Sequence, residues 1–157
     1  MQLPQDLRAG EAVLVSACVL GEAVRYDGGA DLDAALLRAL ETRGVRIVPV
    51  CPEVLGGLGV PRPAAEPRTG DGRDVWRGAA RVHTVEDGVD VTGAFLAGAR
   101  AALAIARETG ARYAFLKERS PSCGVEASHS GGGLVAGPGV TTAALRAAGL
   151  QVFPAGS

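Results

Sequence analysis

Apolar positions along this chain follow two rhythms. EAVLVSAC and GVRIVPVC are apolar runs of strand length, ending at Cys18 and Cys51. Between them, DLDAALLRALETRG sets Leu32, Leu36 and Leu40 at helical spacing, with Asp31 as a plausible N-cap and Gly44 as a plausible stop. Strand, helix, strand predicts a βαβ unit, which places two parallel strands side by side through a right-handed crossover. Further on, TGAFLAGARAALAIARETG starts at Thr92 and carries Phe95, Ala99, Ala102, Leu103 and Ala106 on one face, with Gly110 to close it. RYAFLK then reads as a third strand, VTTAALRAAGL as a third helix capped by Thr141 or Thr142, and LQVFP as a final short strand.

Two stretches break the alternation. PEVLGGLGVPRPAAEPRTGDGRDVWRGAA is dense in Gly and Pro, so neither a regular helix nor a central strand is expected there. A loop of this length in a compact domain is usually functional or disordered. Near its end, ARVHTVEDGVDVT alternates and contains EDG, which predicts a β-hairpin at a sheet edge. The pattern as a whole predicts an α/β fold: one domain over residues 1–157, with an open, mainly parallel, Rossmann-like sheet, flanking helices and a long Gly/Pro-rich loop.

Composition narrows the function classes. With 47% apolar residues but only 4% aromatic, the core must be built from Ala, Val and Leu. The net charge of -1 argues against a duplex nucleic-acid partner, which would call for a basic excess. No apolar run reaches membrane-spanning length, and the N-terminus lacks a signal-peptide pattern. A cytoplasmic location is expected. Nothing in the pattern specifies an oligomeric state. Three cysteines, an odd number without an export signal, disfavour a disulfide framework.

The positions of those cysteines carry the chemistry. Ligands of open parallel sheets bind beyond the carboxyl ends of the strands. Cys18 and Cys51 follow their strands directly, and Cys123, in SPSCG, follows its strand by a short loop. Core thiols would instead be scattered within strands and on helix faces, so the shared placement predicts one site. Three converging thiols call for a soft metal or a cluster. A structural zinc wants a fourth ligand. His83 reads as a half-exposed strand residue and His129 as a solvated loop residue. A 4Fe-4S cluster held by Cys18, Cys51 and Cys123 fits better, because three protein ligands leave one iron open to bind substrate.

LVSACVLGEAVRYDGG, VPVCPEVLGGLGVPRP, DVTGAFLAGA and LKERSPSCG together resemble the family formerly catalogued as domain of unknown function 523, whose characterised members are TudS-like thiouracil desulfidases. The resemblance runs from about Val13 to Phe153. It implies a 4Fe-4S cluster on the three cysteines and hydrolytic, non-redox removal of sulfur from a thiolated uracil or related thio-pyrimidine, so that the partner is a small-molecule thiolated nucleobase. It implies that Glu53, in CPE, is the catalytic carboxylate. It puts the catalytic hydroxyl in SPS, with Ser120 favoured and Ser122 the alternative. Arg25, Asp27 and Gly124 are the substrate-binding candidates, although Asp27 with Gly28 is equally a tight turn. Arg62, between two prolines, either points into the site or marks a rigid surface kink. One segment departs from the family pattern: VEASHSGGG stands where many members have an aromatic and Asp-containing stretch. Two other classes fit the same residues. One is a cluster- or metal-binding sulfur-handling protein without turnover. The other is a metal-free hydrolase with Cys123 as nucleophile and His129 as base.

Overall fold

In the computed structural model, which describes residues 2–157, β1 (Ala12–Ser16) runs into a 3-10 turn (Ala17–Leu20). There follow α1 (Ala34–Arg43), β2 (Arg46–Val50), α2 (Pro52–Leu55), β3 (Ala65–Pro67), α3 (Gly72–Trp76) and β4 (Val82–Thr84). The second half holds α4 (Thr92–Thr109), β5 (Tyr113–Lys117), β6 (Ala127–Ser130), β7 (Gly133–Ala136), α5 (Val140–Ala147) and β8 (Gln151–Ala155). Four strands form one sheet in the order β2-β1-β5-β8, and every pair in it is parallel. Pro49 lies in β2, an edge strand, where a missing N–H is tolerated.

Alternation along β1 and β5 splits the core into two layers. Val13, Val15, Tyr113 and Phe115 face α1, which buries Leu36 and Leu40 against them. Each fully buried leucine contributes roughly 1.5–3 kcal/mol of transfer free energy. Leu14, Ala114 and Leu116 face the other way, toward Ala106 of α4 and Leu145 of α5. From β1 the chain moves to β2 on one side and later crosses back to β5 on the other, so strand order switches between β1 and β5. That switch point is where such sheets open a crevice.

Several expected details change. Asp33, not Asp31, caps α1, its Oδ1 accepting from Leu36 N at 3.1 Å. Asp31 instead meets Lys117 Nζ at 3.1 Å, and Leu32 stays exposed. Gly139, not a threonine, flanks the start of α5. Thr141 and Thr142 lie inside its first turn, fully buried, with their hydroxyls engaged by the turn that carries Cys123. The Gly/Pro-rich stretch is not structureless, for it contains α2, β3 and α3. Asp71 anchors α3 with a capping box, which a reading for helical periodicity does not detect in five residues. The expected edge hairpin around EDG makes a single bridge with itself, His83 to Asp90. Its strand, β4, pairs with β3 in a separate ribbon. The segment around His129, read as loop, forms β6, which pairs antiparallel with β7.

Two glycines, Gly56 just after α2 and Gly98 in α4, bring α2, whose start Cys51 flanks, onto α4. A Cβ at Gly98 would fall on the Pro52 carbonyl, and one at Gly56 on the Ala94 carbonyl. Neither neighbour is a flexible side-chain end, so the backbones themselves would have to part. Gly98→Ala is expected to lower the unfolding free energy by about 1–3 kcal/mol in urea titration. A variant as stable as the parent would mean that α2 moves off α4 without cost.

Candidate active site

The three cysteines line a single cavity of about 510 Å³ at the carboxyl end of the parallel sheet. Cys18 sits in the 3-10 turn after β1, and Cys51 flanks the start of α2 directly after β2. The Cys51 Sγ lies 3.9 Å from the Val24 carbonyl oxygen. Cys123 is carried by a tight turn after β5. There Ser120 Oγ accepts from Ser122 N at 3.1 Å and from Cys123 N at 3.0 Å. Gly124 N closes the same turn on the Ser120 carbonyl at 2.7 Å.

This turn is fastened to the first residues of α5. Val140 N donates to Pro121 O at 3.0 Å, Thr141 N to Ser122 O at 2.8 Å, and Thr142 Oγ1 to Cys123 O at 2.9 Å. On its other side, Glu118 takes up a run of backbone donors. Val125 N at 2.7 Å, Arg119 N at 3.0 Å and Glu126 N at 3.2 Å all reach its Oε1. Arg119, whose carbonyl accepts from His129 N, holds φ at 70°, a left-handed conformation uncommon for a side chain of its size.

The candidate residues separate into those at the cavity and those away from it. Glu53, Arg25, Arg62, Ser120 and His129 line it with the thiols. Ser122 does not: it is 1% exposed, and its Oγ lies 2.8 Å from Thr141 Oγ1. That removes the ambiguity between the two serines as far as access is concerned. Ser120 Oγ accepts two N–H groups and retains its own proton to donate. Gly124 is also buried away from the lining, and a Cβ there would press on the Ser120 carbonyl and Ser128, so its glycine answers to close packing. Asp27 is exposed and accepts from Gly29 N at 2.9 Å, the tight-turn role. His83 lies in β4 outside the lining, and His129 is an exposed residue of β6 rather than of a loop.

Several lining residues escaped the sequence reading, among them Ser16, Lys117 and Glu118. Ser16, 2% exposed, ends β1 and accepts from Lys117 N at 2.8 Å. Its signal was a polar residue at the end of an otherwise apolar strand.

Burial governs the electrostatics. It pushes the Cys18 thiol up to about 11, with the Cys51 charge adding to the effect and Lys117 opposing it. The Cys123 thiol is pushed up further by burial, against a hydrogen bond from Ser16. Burial likewise raises Glu53 above the usual carboxylate range, although Arg62 pulls the other way. Glu118 is the reverse case: burial would raise it, but the N–H groups of Val125, Arg119, Glu126 and Ala127 more than offset that and lower it. Among the described residues, no three His, Cys, Asp or Glu side chains converge tightly enough for a single metal ion. The thiols share a cavity rather than a point.

Fold and cavity define a cysteine-lined centre at the strand-order switch of an α/β sheet. The chain belongs to the 2-thiouracil desulfurase family, whose model matches residues 13–155. It is 39% identical over 144 residues to the uncharacterised protein YbbK of Bacillus subtilis strain 168, covering 90% of this chain and 93% of that protein. It is also similar to a solved structure, the 4Fe-4S-dependent thiouracil desulfidase TudS, with 46% identity and a TM-score of 0.78. That match covers 92% of this chain and 90% of the other. No helix among the described residues is long and apolar enough to cross a membrane.

Glu118 is expected to matter for the Cys123 turn in a pH-dependent way. Its folded-state pKa lies below the unfolded one, so its stabilisation is complete at neutral pH and fades as the pH falls below about 4. Glu118→Gln should unfold at lower urea than the parent at pH 7, and the gap should close as the pH falls through the acidic range. A gap that does not change with pH contradicts this role.

Proposed function

We propose that this protein hydrolyses the carbon–sulfur bond of a thiolated uracil, or a closely related thio-pyrimidine, at a 4Fe-4S cluster held by Cys18, Cys51 and Cys123. The observation that carries the reading is the meeting of three thiols and a partly buried carboxylate in one cavity of a chain from this family. The residues suit such a group. Burial alone keeps Cys18 and Cys123 protonated, so a cationic iron centre is the natural counterpart that would make them thiolates. A mononuclear zinc would need its ligands around one point, which this donor set does not offer. A cluster accepts sulfur ligands that are more widely spread.

When bound, the cluster supplies one iron without a protein ligand, a soft Lewis acid toward thiocarbonyl sulfur and sulfide. The chain's own residues do the rest. Glu53 takes a proton from the water that attacks the ring carbon, and its raised pKa suits it to hold that proton and return it. Ser120 offers its hydroxyl proton to the ring or to the departing sulfur. Arg25 faces the cavity beside Tyr26 and presents a cation to the ring's polar edge. The overall change exchanges a carbon–sulfur double bond and water for a carbon–oxygen double bond and hydrogen sulfide, with no electron gained or lost. A Cys123 nucleophile fits less well, because burial raises its thiol, whereas a nucleophile needs it lowered.

Protein reconstituted with iron and sulfide without oxygen is expected to release many equivalents of sulfide from 2-thiouracil. Release of one equivalent or fewer would favour a sulfur-handling protein, and full activity without iron a thiol hydrolase. Cys123→Ala should lose both iron and turnover. Glu53→Ala should keep the cluster absorption and lose roughly 10²–10⁴-fold in kcat, and a rate near that of the parent would reject its role as base.

A further inference from the structure

Arg62 is an unusual lining residue. Its side chain is 5% exposed, yet the protein uses only part of its donor set. Nη1 donates to the Gly59 carbonyl at 3.1 Å, and Nη2 reaches Glu53 Oε2 at 3.4 Å. Nε, buried, has no partner among the described residues. Its backbone is fixed as well, with Arg62 N donating to Tyr26 O at 2.8 Å, so the loop bearing Arg62 is tied to the segment after Cys18.

A buried cation with an unsatisfied donor is a poor way to add stability. Such a group is tolerated where the placement of its partner matters. The Glu53 carboxylate accepts no hydrogen bond from the described residues other than this one, which falls on Oε2. Among the described residues no other hydrogen bond or ion pair sets how that carboxylate is turned.

We propose that Arg62 is the positioning residue for Glu53. It holds Oε2 and thereby leaves Oε1 as the oxygen presented to the reacting water. The inference rests on the reading of Glu53 as the base. Arg62 acts through the carboxylate and touches no reacting atom.

The test uses reconstituted Arg62→Ala, Arg62→Lys, Glu53→Gln and Arg62→Ala/Glu53→Gln proteins with 2-thiouracil. Arg62→Ala is expected to keep the parent's cluster absorption and a KM within about 2-fold, while kcat falls roughly 10–100-fold from lost orientation. Added guanidinium should restore part of that kcat, which a purely structural defect would not allow. In the Glu53→Gln background, Arg62→Ala should change kcat by less than about 2-fold, because the group it serves is already gone. Unchanged kcat in Arg62→Ala, or losses that multiply in the double variant, would overturn the proposal. Should Arg62→Ala fail to fold, Arg62→Lys decides. It keeps the charge without the planar fork, so a reduced kcat supports the proposal and full activity overturns it. If even the parent releases no sulfide, it is the desulfidase reading that fails. The pair is then judged by urea unfolding of the cluster-free proteins, where non-additive losses support the Arg62–Glu53 coupling and additive losses overturn it.

Discussion

Parallel pairing is the constraint on which everything else rests. β1 lies between β2 and β5 with all three strands running the same way. Their carboxyl ends therefore share one edge, and whatever follows each strand is delivered to one place. Cys18, Cys51 and the Cys123 turn are those sequels. The helices serve this edge in different ways. α1 seals one face of the sheet through Leu36 and Leu40, while α4 receives α2 through one bare glycine on each side, Gly98 and Gly56. α5 contributes its first turn as the clamp for Cys123. Reversing one strand would send its cysteine to the opposite end of the sheet, some five residues of extended chain away.

Removal from water is the second shared condition. The same burial that lifts Cys18, Cys123 and Glu53 above their ordinary values makes the cavity receptive to positive charge. The protein offsets this locally and selectively. Glu118 is satisfied by backbone N–H groups and spends its charge on the Cys123 turn, while Asp31 is matched by Lys117 and Ser157. Glu53 has only one long contact with Arg62. The least satisfied carboxylate at the cavity is thus the one with proton chemistry assigned to it, which is the usual relation between strain in polar pairing and function.

Much of this was legible in the chain. Strand ends at Cys18 and Cys51 follow from the apolar runs, and the shared edge follows from the βαβ rhythm. The family resemblance was needed to single out Glu53 and the SPS segment. What escaped reading was set by tertiary partners. Asp31 and Asp33 are equivalent as caps in sequence, and only Lys117 and Ser157 decide that Asp31 is engaged elsewhere. Ser120 and Ser122 flank the same proline, and only the approach of Thr141 takes Ser122 out of the cavity. The hairpin expected at EDG finds its partner in β3, inside a stretch whose Gly and Pro content hides a strand of three residues. Arg62 was readable as a residue between prolines, but not as a buried partner of Glu53.

The central claim is that three thiols hold a four-iron cluster with one iron left for the substrate. Mössbauer spectroscopy of protein reconstituted with iron-57 in the absence of oxygen addresses it most directly, before and after addition of 2-thiouracil. The account predicts one iron distinct from the other three, and a change confined to that iron when the thiolated base is added. A spectrum with no distinct iron, or one that the thiolated base leaves unchanged, would contradict it.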